Sequence, residues 1–367
     1  MTTQNAIRVG IIGAGAWGAE AHIPGFQACD GVTIVAVCDV DAARAEQVAR
    51  EKDVPRAYAS LEAMLSTEKL DLVSIATPTD THQATARAAL AAGMHVLCEK
   101  PLARTLVQAR AMAGQALAAG MHTKLGFTMR YAPGMRRMKE LVTEGFIGTP
   151  YLLEMMLQNG QFLDPEKPWH WKLSQARAGA GVIVEYGIHG LDLARWVLGE
   201  VRRVCAAGRT IVPQRHRPES DEVIMIDVED SCGWLMEFAN GALAVCHAGW
   251  TTIGRAPGLE FRVYGSQGAV QVGLSDDLPG SEVLRVATAA EQCFEPAEIP
   301  ARLATPIPPP TVWRRRFQHN LIQHFVNEIR RGERREPDFT DGVRAQALLE
   351  AVVTSMHEDR WVTPEPV

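Results

Sequence analysis

The chain has 367 residues, 47% hydrophobic and 22% charged, with a formal net charge of -6. That length suggests two domains with a sizeable core, and the composition excludes collagen-like, disordered and disulfide-scaffold classes. The mild acidity gives no electrostatic reason to expect nucleic acid or an anionic membrane as a partner. No apolar run reaches the ~18 residues of a membrane span, and Met1-Thr2-Thr3-Gln4-Asn5 has no basic region of a signal peptide. The seven cysteines (Cys29, Cys38, Cys98, Cys205, Cys232, Cys246, Cys293) form no CxxC pair. They read as reduced thiols of a cytosolic protein, with no disulfide framework and no metal site.

In chain order, the first ~125 residues alternate β-rich runs with Ala-rich helical stretches. The runs are Ile7–Ile12, Val32–Cys38, Leu70–Ala76, His95–Cys98 and Thr123–Phe127, and the helical stretches include Ala42–Arg50, Thr81–Ala92 and Leu102–Ala119. Gly93 and Gly120 stand as stop signals. This alternation predicts a parallel sheet covered on both faces, an α/β domain over 1–125. After Phe127 the pattern changes. A helix is expected over Ala180–Leu198, then short strands, with Ser231–Ala239 and Ala242–Ala248 joined by Asn240-Gly241 as a type I′ hairpin. Leu259–Tyr264 and Ala269–Val272 form another pair, 273–312 reads as a long irregular loop, and helices resume over Phe317–Arg331 and Asp341–Met356. Arg314-Arg315-Arg316 reads as a solvated loop or helix start. Residues 126–367 are thus expected to be an α+β domain with an open, mostly antiparallel sheet.

Gly13-Ala14-Gly15-Ala16-Trp17-Gly18 follows a strand and opens a helix. This is G-x-G-x-x-G in the setting that dinucleotide binding requires: a tight turn, a close approach of backbone to pyrophosphate, and close helix–strand packing. Gly13, Gly15, Ala16, Trp17 and Gly18 are the candidate contacts. A second strand ends at Asp39, about 20 residues further on, where a carboxylate meets the ribose diol. A carboxylate there favours NAD over NADP because it repels a 2′-phosphate. Arg44 lies nearby, a turn into the next helix.

Three further motifs sharpen the reading: Ala76-Thr77-Pro78 followed by His82, Glu99-Lys100-Pro101, and Glu185-Tyr186-Gly187-Ile188-His189-Gly190-Leu191-Asp192. With Gly126-Phe127-Thr128-Met129-Arg130-Tyr131, Gly145-Phe146-Ile147-Gly148, Tyr264-Gly265-Ser266-Gln267-Gly268 and the Asp341-Gly342 helix, the ordered set resembles the Gfo/Idh/MocA family, named for glucose–fructose oxidoreductase, inositol dehydrogenase and a rhizopine-catabolism protein. The resemblance covers nearly the whole chain. It implies that Lys100 lies beside the nicotinamide and the reacting hydroxyl, with a cis bond to Pro101. It also puts Thr77, Pro78, His82 and Glu99 near the cofactor. Glu185 departs from the family's usual Asp, and Gly179-Ala180-Gly181 from its three-glycine run.

Positions 185, 189 and 192 fall on one face of a helix. Apolar neighbours such as Val184, Ile188 and Leu191 argue that this stripe is buried and lines a pocket. Oxidising a secondary alcohol removes a proton from oxygen and a hydride from carbon, and the nicotinamide takes the hydride. The resemblance implies His189 as the base, with Lys100 stabilising alkoxide charge. Glu185 orients one of these or binds a neighbouring hydroxyl, Asp192 binds substrate or a cation, and Tyr186 is an alternative acid/base. Arg130, Tyr131, Trp169, His170 and Trp171 are candidates for the sugar side of the site. His22 reads as structural, and Cys98 as a packed strand residue.

The expected activity is an NAD-dependent oxidation at a ring secondary hydroxyl of a sugar, glycoside or inositol. The alternatives are a redox-neutral NAD-dependent glycosidase and a non-catalytic NAD-loaded sensor or assembly subunit. The outer sheet face, around Leu235, Phe238, Leu243 and Val245, is expected to be apolar and open. The resemblance implies that it is buried in a homodimer or homotetramer.

Overall fold

The computed structural model describes residues 6–254, 258–303 and 312–367. The chain divides into two compact units, one of Met1–Tyr131 with Pro306–Arg344 and one of Ala132–Thr305 with Ala345–Val367.

The first unit holds a six-stranded sheet of β1 (Ile7–Ile12), β2 (Val32–Cys38), β3 (Arg56–Tyr58), β4 (Leu72–Ile75), β5 (His95–Cys98) and β6 (Thr123–Leu125). All pairings are parallel and the order is β3-β2-β1-β4-β5-β6. This is the doubly wound order with its reversal between β1 and β4, where such sheets bind nucleotides. The helices α1 (Ile23–Gln27), α2 (Ala42–Glu51), α3 (Leu61–Thr67), α4 (His82–Ala91) and α5 (Leu106–Ala119) connect the strands. Their ends follow capping chemistry: Asp41, Ser60 and Thr105 accept the amides of Arg44, Ala63 and Gln108. Gly120 closes α5 at φ 69°. The short edge strand β3 adds to the expected set. Its three residues carry too little pattern to stand out in the sequence.

The second unit opens with α6 (Pro133–Thr143) and β7 (Pro150–Gln158), followed by α7 (Gln175–Ala178). A π-helical turn, Ile183–Gly187, leads directly into α8 (Ile188–Leu198). The remaining strands are β8 (Val201–Arg209), β9 (Gln214–His216), β10 (Val223–Met225), β11 (Ser231–Phe238), β12 (Leu243–Gly249), β13 (Gly258–Gly265), β14 (Gly268–Ser275), β15 (Glu282–Thr288) and β16 (Glu295–Pro296). Seven of them join β7 in one sheet in the order β16-β15-β14-β13-β7-β12-β11-β8, antiparallel except where β7 pairs with β12. α8 lies on one face. A Cβ at Gly190 would come 2.1 Å from the Met155 side chain and 3.3 Å from Trp234.

Three expectations need correction here. Residues 273–303 are not one loop but carry the end of β14 with β15 and β16; 304–311 lie outside the described residues. At the Asn240-Gly241 turn only Gly241 has positive φ, and its amide donates to the Phe238 carbonyl. The turn is therefore a type I turn closed by a glycine bulge, not type I′. Asn240 has a separate task, donating its amide to the Leu198 carbonyl at the end of α8. On the sheet's outer face Leu235, Leu243 and Val245 are exposed, whereas Phe238 is buried on the opposite face with Trp234 and Met236, because successive strand residues alternate between faces and 235 and 238 are an odd number apart.

The chain then supplies α9 (Trp313–Arg331) and α10 (Phe339–Glu358). The basic run 314–316 is thus the first turn of α9. Leu321, Ile322, Phe325 and Val326 of α9 join Val9, Ile11, Ile23 and Phe26 in one core cluster of the first unit. Their i, i+1, i+4, i+5 spacing puts all four on one face. Lys124 of β6 is fully buried, with Nζ 2.7 Å from Glu328 and 2.6 Å from the Arg335 carbonyl. The boundary expected near residue 125 therefore misses a returning segment, which completes the first unit. Phe325→Ala is expected to destabilise the first unit by about 3–5 kcal/mol. A denaturant midpoint equal to wild type would contradict the assignment of α9 to this core.

Candidate active site

The glycine turn between β1 and the π-helical turn Gly18–His22 is built by contacts that leave no room for side chains. A Cβ on Gly18 would stand 2.0 Å from the Gly13 carbonyl, and one on Gly13, at φ 102°, 2.6 Å from the Ala76 carbonyl. At Gly15 a Cβ would meet nothing within 4 Å. Gly15 thus offers bare backbone to open space at a helix start, which suits a pyrophosphate. Ala16 is exposed and Trp17 half-buried beside it.

Asp39, at the end of β2, is braced on both oxygens. Oδ2 accepts the Ala14 amide at 2.8 Å and Oδ1 the Asp41 amide at 3.0 Å. The Arg44 guanidinium lies 3.6 Å from Asp39 and 2.9 Å from Asp41. Each Asp39 oxygen keeps a lone pair for a ribose hydroxyl. The first unit's residues therefore fit a dinucleotide whose 2′-position is a hydroxyl.

Behind the turn, Glu99 joins several candidate residues. Its Oε1 accepts Trp17 Nε1 at 3.0 Å and lies 3.0 Å from His22 Nε2, and Oε2 accepts the Lys100 amide at 3.3 Å. Burial alone would raise the Glu99 carboxyl, but His22, Lys100 and Trp17 together hold it below the usual range. A Cβ on Gly126 would come 2.7 Å from this carboxylate, which explains the glycine of the Gly126-Phe127 motif. Lys100 is half-buried and its bond to Pro101 is cis, as the resemblance implied. His22 also meets Ser74 Oγ at 2.6 Å and is fully buried, as a structural histidine should be. Cys98 is buried too, and burial pushes its thiol well above the ordinary value.

Four of the residues expected near the ligands also carry internal contacts. The Glu99 carboxylate is spent on the Trp17–His22–Lys100 network. The buried His82 ring faces the Thr77 carbonyl at 2.9 Å and the Pro101 carbonyl at 3.0 Å. In either tautomer it donates to one of them, tying the Thr77-Pro78 loop to the loop after Lys100. Arg130 is buried, 3.2 Å from Asp341 and 3.4 Å from Glu336. Tyr131 presents its carbonyl to Asn320 at 3.0 Å. These last two hold the returning segment to the first unit, a task that spacing along the chain did not reveal.

In the second unit, His189 and Asp192 of α8 are 7% and 1% exposed. Glu185 precedes them in the π-helical turn, so the expected single stripe crosses a change of helical pitch. Such turns concentrate at functional sites. Glu185 Oε1 lies 2.6 Å from Lys172 Nζ, and the same ammonium lies 5.9 Å from the Trp171 ring centroid. Lys172 was not among the expected residues. It directly follows the Trp169–Trp171 segment, but a lone lysine there carries no pattern in the sequence. The Tyr186 hydroxyl is held by the Asn159 amide and donates to Gln161 at 3.3 Å, so it is anchored inside the unit. Its ring meets Trp250 edge-on; Phe162 packs on Trp250 and on His170, and His170 on Trp171. His170 is exposed, while Trp169 and Trp171 are half-buried. Among the described residues no group of three or more side chains could hold a metal, and no helix is long and apolar enough to cross a membrane.

Family models match both parts of the chain. Residues 7–127 match the oxidoreductase family with an NAD-binding Rossmann fold, and 135–271 the GFO/IDH/MocA C-terminal domain. The chain is 27% identical to D-apiose dehydrogenase of Paraburkholderia graminis, over 98% of this chain and 90% of that protein. It is 30% identical to 1,5-anhydro-D-fructose reductase of Ensifer adhaerens, over 72% and 74%. The solved structure of levoglucosan dehydrogenase in complex with NADH and L-sorbose superposes with a TM-score of 0.91 at 25% identity, over 99% and 100%. With an NAD-type cradle in its first unit and the family's polar helix in its second, the chain belongs to the Gfo/Idh/MocA family of NAD(P)-dependent oxidoreductases.

Proposed function

We propose that this protein is an NAD-dependent dehydrogenase that acts on a ring secondary hydroxyl of a sugar, glycoside or inositol. The observation that supports it best is the burial of an imidazole and a carboxylate, His189 and Asp192, on one helix beside the Lys172–Glu185 pair. An imidazole and carboxylates gathered on one helical segment suit a polyhydroxylated ring, whose hydroxyls can both donate to and accept from such groups. The sugars named for the relatives point to the same class of substrate.

When bound, the nicotinamide supplies the hydride acceptor. Gly13, Gly15, Ala16, Trp17 and Gly18 hold its pyrophosphate side and Asp39 its ribose. Thr77, Pro78 and His82 shape the neighbouring loop, and Arg44 balances the Asp39 charge. His189 takes the hydroxyl proton, since an imidazole titrates near neutral pH. Lys100 places a positive charge by the oxygen that becomes negative, and the Glu99 network fixes its backbone. Glu185 and Asp192 bind neighbouring hydroxyls, and the half-buried faces of Trp169 and Trp171 flank the ring. We further propose that a second copy covers the outer sheet face at Met156, Leu235, Leu243 and Val245, which a lone chain leaves exposed.

Lys100→Ala and His189→Ala are each expected to lower kcat by roughly a hundredfold or more while NAD still binds. Wild-type turnover in either variant would remove that residue from the reaction. Asp39→Ala is expected to raise the KM for NAD about tenfold, the scale of a hydrogen bond to a charged group, and to narrow the preference over NADP. An unchanged NAD-to-NADP ratio in steady-state kinetics would contradict the ribose contact.

A further inference from the structure

The start of the helix that carries Glu185 is held by a residue outside it. Three successive amides end on Glu229. Gly181 donates to its two carboxylate oxygens at 3.1 and 3.0 Å, and Ile183 to Oε1 at 2.9 Å. Val182 donates to the Glu229 main-chain carbonyl at 2.9 Å. The approach is so close that a Cβ on Gly181 would stand 1.8 Å from that carbonyl, which accounts for the glycine at 181. The first amides of any helix lack an internal acceptor, and a carboxylate satisfies them with charge-assisted bonds aligned with the helix dipole.

Glu229 is itself held from the other side. The Asp230 amide donates to the Arg209 carbonyl at 3.0 Å, and Thr210 Oγ1 to the Val228 carbonyl at 2.8 Å. The Asp230 carboxylate accepts the amides of Ile211 and Val212 at 2.7 and 2.9 Å. The β8–β11 end of the sheet thus grips the segment 228–230, and that segment grips residues 181–183. Burial raises the Glu229 carboxyl against the downward pull of the Ile183 and Gly181 amides. The chain therefore keeps an acid where a neutral cap would carry a smaller desolvation cost.

We propose that Glu229 is a positioning residue for the reaction: by fixing the first turn at residues 181–183 it sets where Glu185 and, one turn on, His189 present their side chains. This rests on the function proposed above. The test uses the full chain with Glu229→Ala and Glu229→Gln, read by amide hydrogen exchange without substrate and by steady-state kinetics. In Glu229→Ala, amides of residues 181–189 are expected to exchange roughly tenfold faster or more, while β1 to β6 keep wild-type protection. kcat is expected to fall about tenfold or more with the KM for NAD unchanged, and Glu229→Gln, which keeps the volume and one acceptor oxygen, to recover part of both. Wild-type exchange at 181–189, or faster exchange with wild-type kcat, overturns the proposal. So does a loss in which kcat and cofactor KM change together, since that is general unfolding. Should Glu229→Ala not fold, Glu229→Gln decides by the same two readouts. The exchange arm needs no substrate, so failure of the dehydrogenase reading and failure of this one appear in different measurements.

Discussion

The first unit depends on backbone packed against backbone at one turn. The Gly13 carbonyl occupies the space a side chain at Gly18 would need, and the Ala76 carbonyl the space a side chain at Gly13 would need. This brings the ends of β1 and β4 and the first turn after β1 together at the reversal of strand order. It also leaves the Ala14 amide directed to Asp39, at the end of β2. The glycine turn and the Asp39 carboxylate are therefore joined directly.

A second layer of buried polar groups supports that construction. Glu99 links the glycine turn through Trp17, the buried His22, and the backbone of Lys100. His82 links the loops after β4 and β5. Each group is expensive to bury alone and is tolerated because its partners are fixed. The second unit repeats the tactic with Glu229 under the helix that carries Glu185, His189 and Asp192. In both units a residue proposed for chemistry sits on an element whose first turn is π-helical or whose backbone is clamped by a carboxylate.

Local signals in the sequence were sufficient for much of this. The glycine turn, Asp39 and the parallel sheet follow from motifs whose physics acts within a few residues or one βαβ unit, and the cis Lys100–Pro101 bond was implied by the family resemblance. What could not be read locally depends on long-range partners. The internal partners of Arg130 and Tyr131 come from Asp341, Glu336 and Asn320, some 190 to 210 residues further along the chain. Lys172 gains meaning only against Glu185, and Glu229 only against Gly181 and Ile183. The strands β15 and β16 were hidden in a proline- and charge-rich stretch with weak alternation. The expected hairpin is present, but its turn is closed by a glycine bulge, and Asn240 is engaged by the end of α8. None of these pairings leaves a periodicity or a short motif.

The central claim is that NAD carries hydride from a cyclic polyol bound by this chain. It is tested most directly by following absorbance at 340 nm with purified protein and NAD, across free sugars, glycosides and inositols. The account predicts a rise with NAD for one class of ring, weaker with NADP, and its loss in His189→Ala. No rise with any member of the panel, from protein shown to bind NAD, would contradict it.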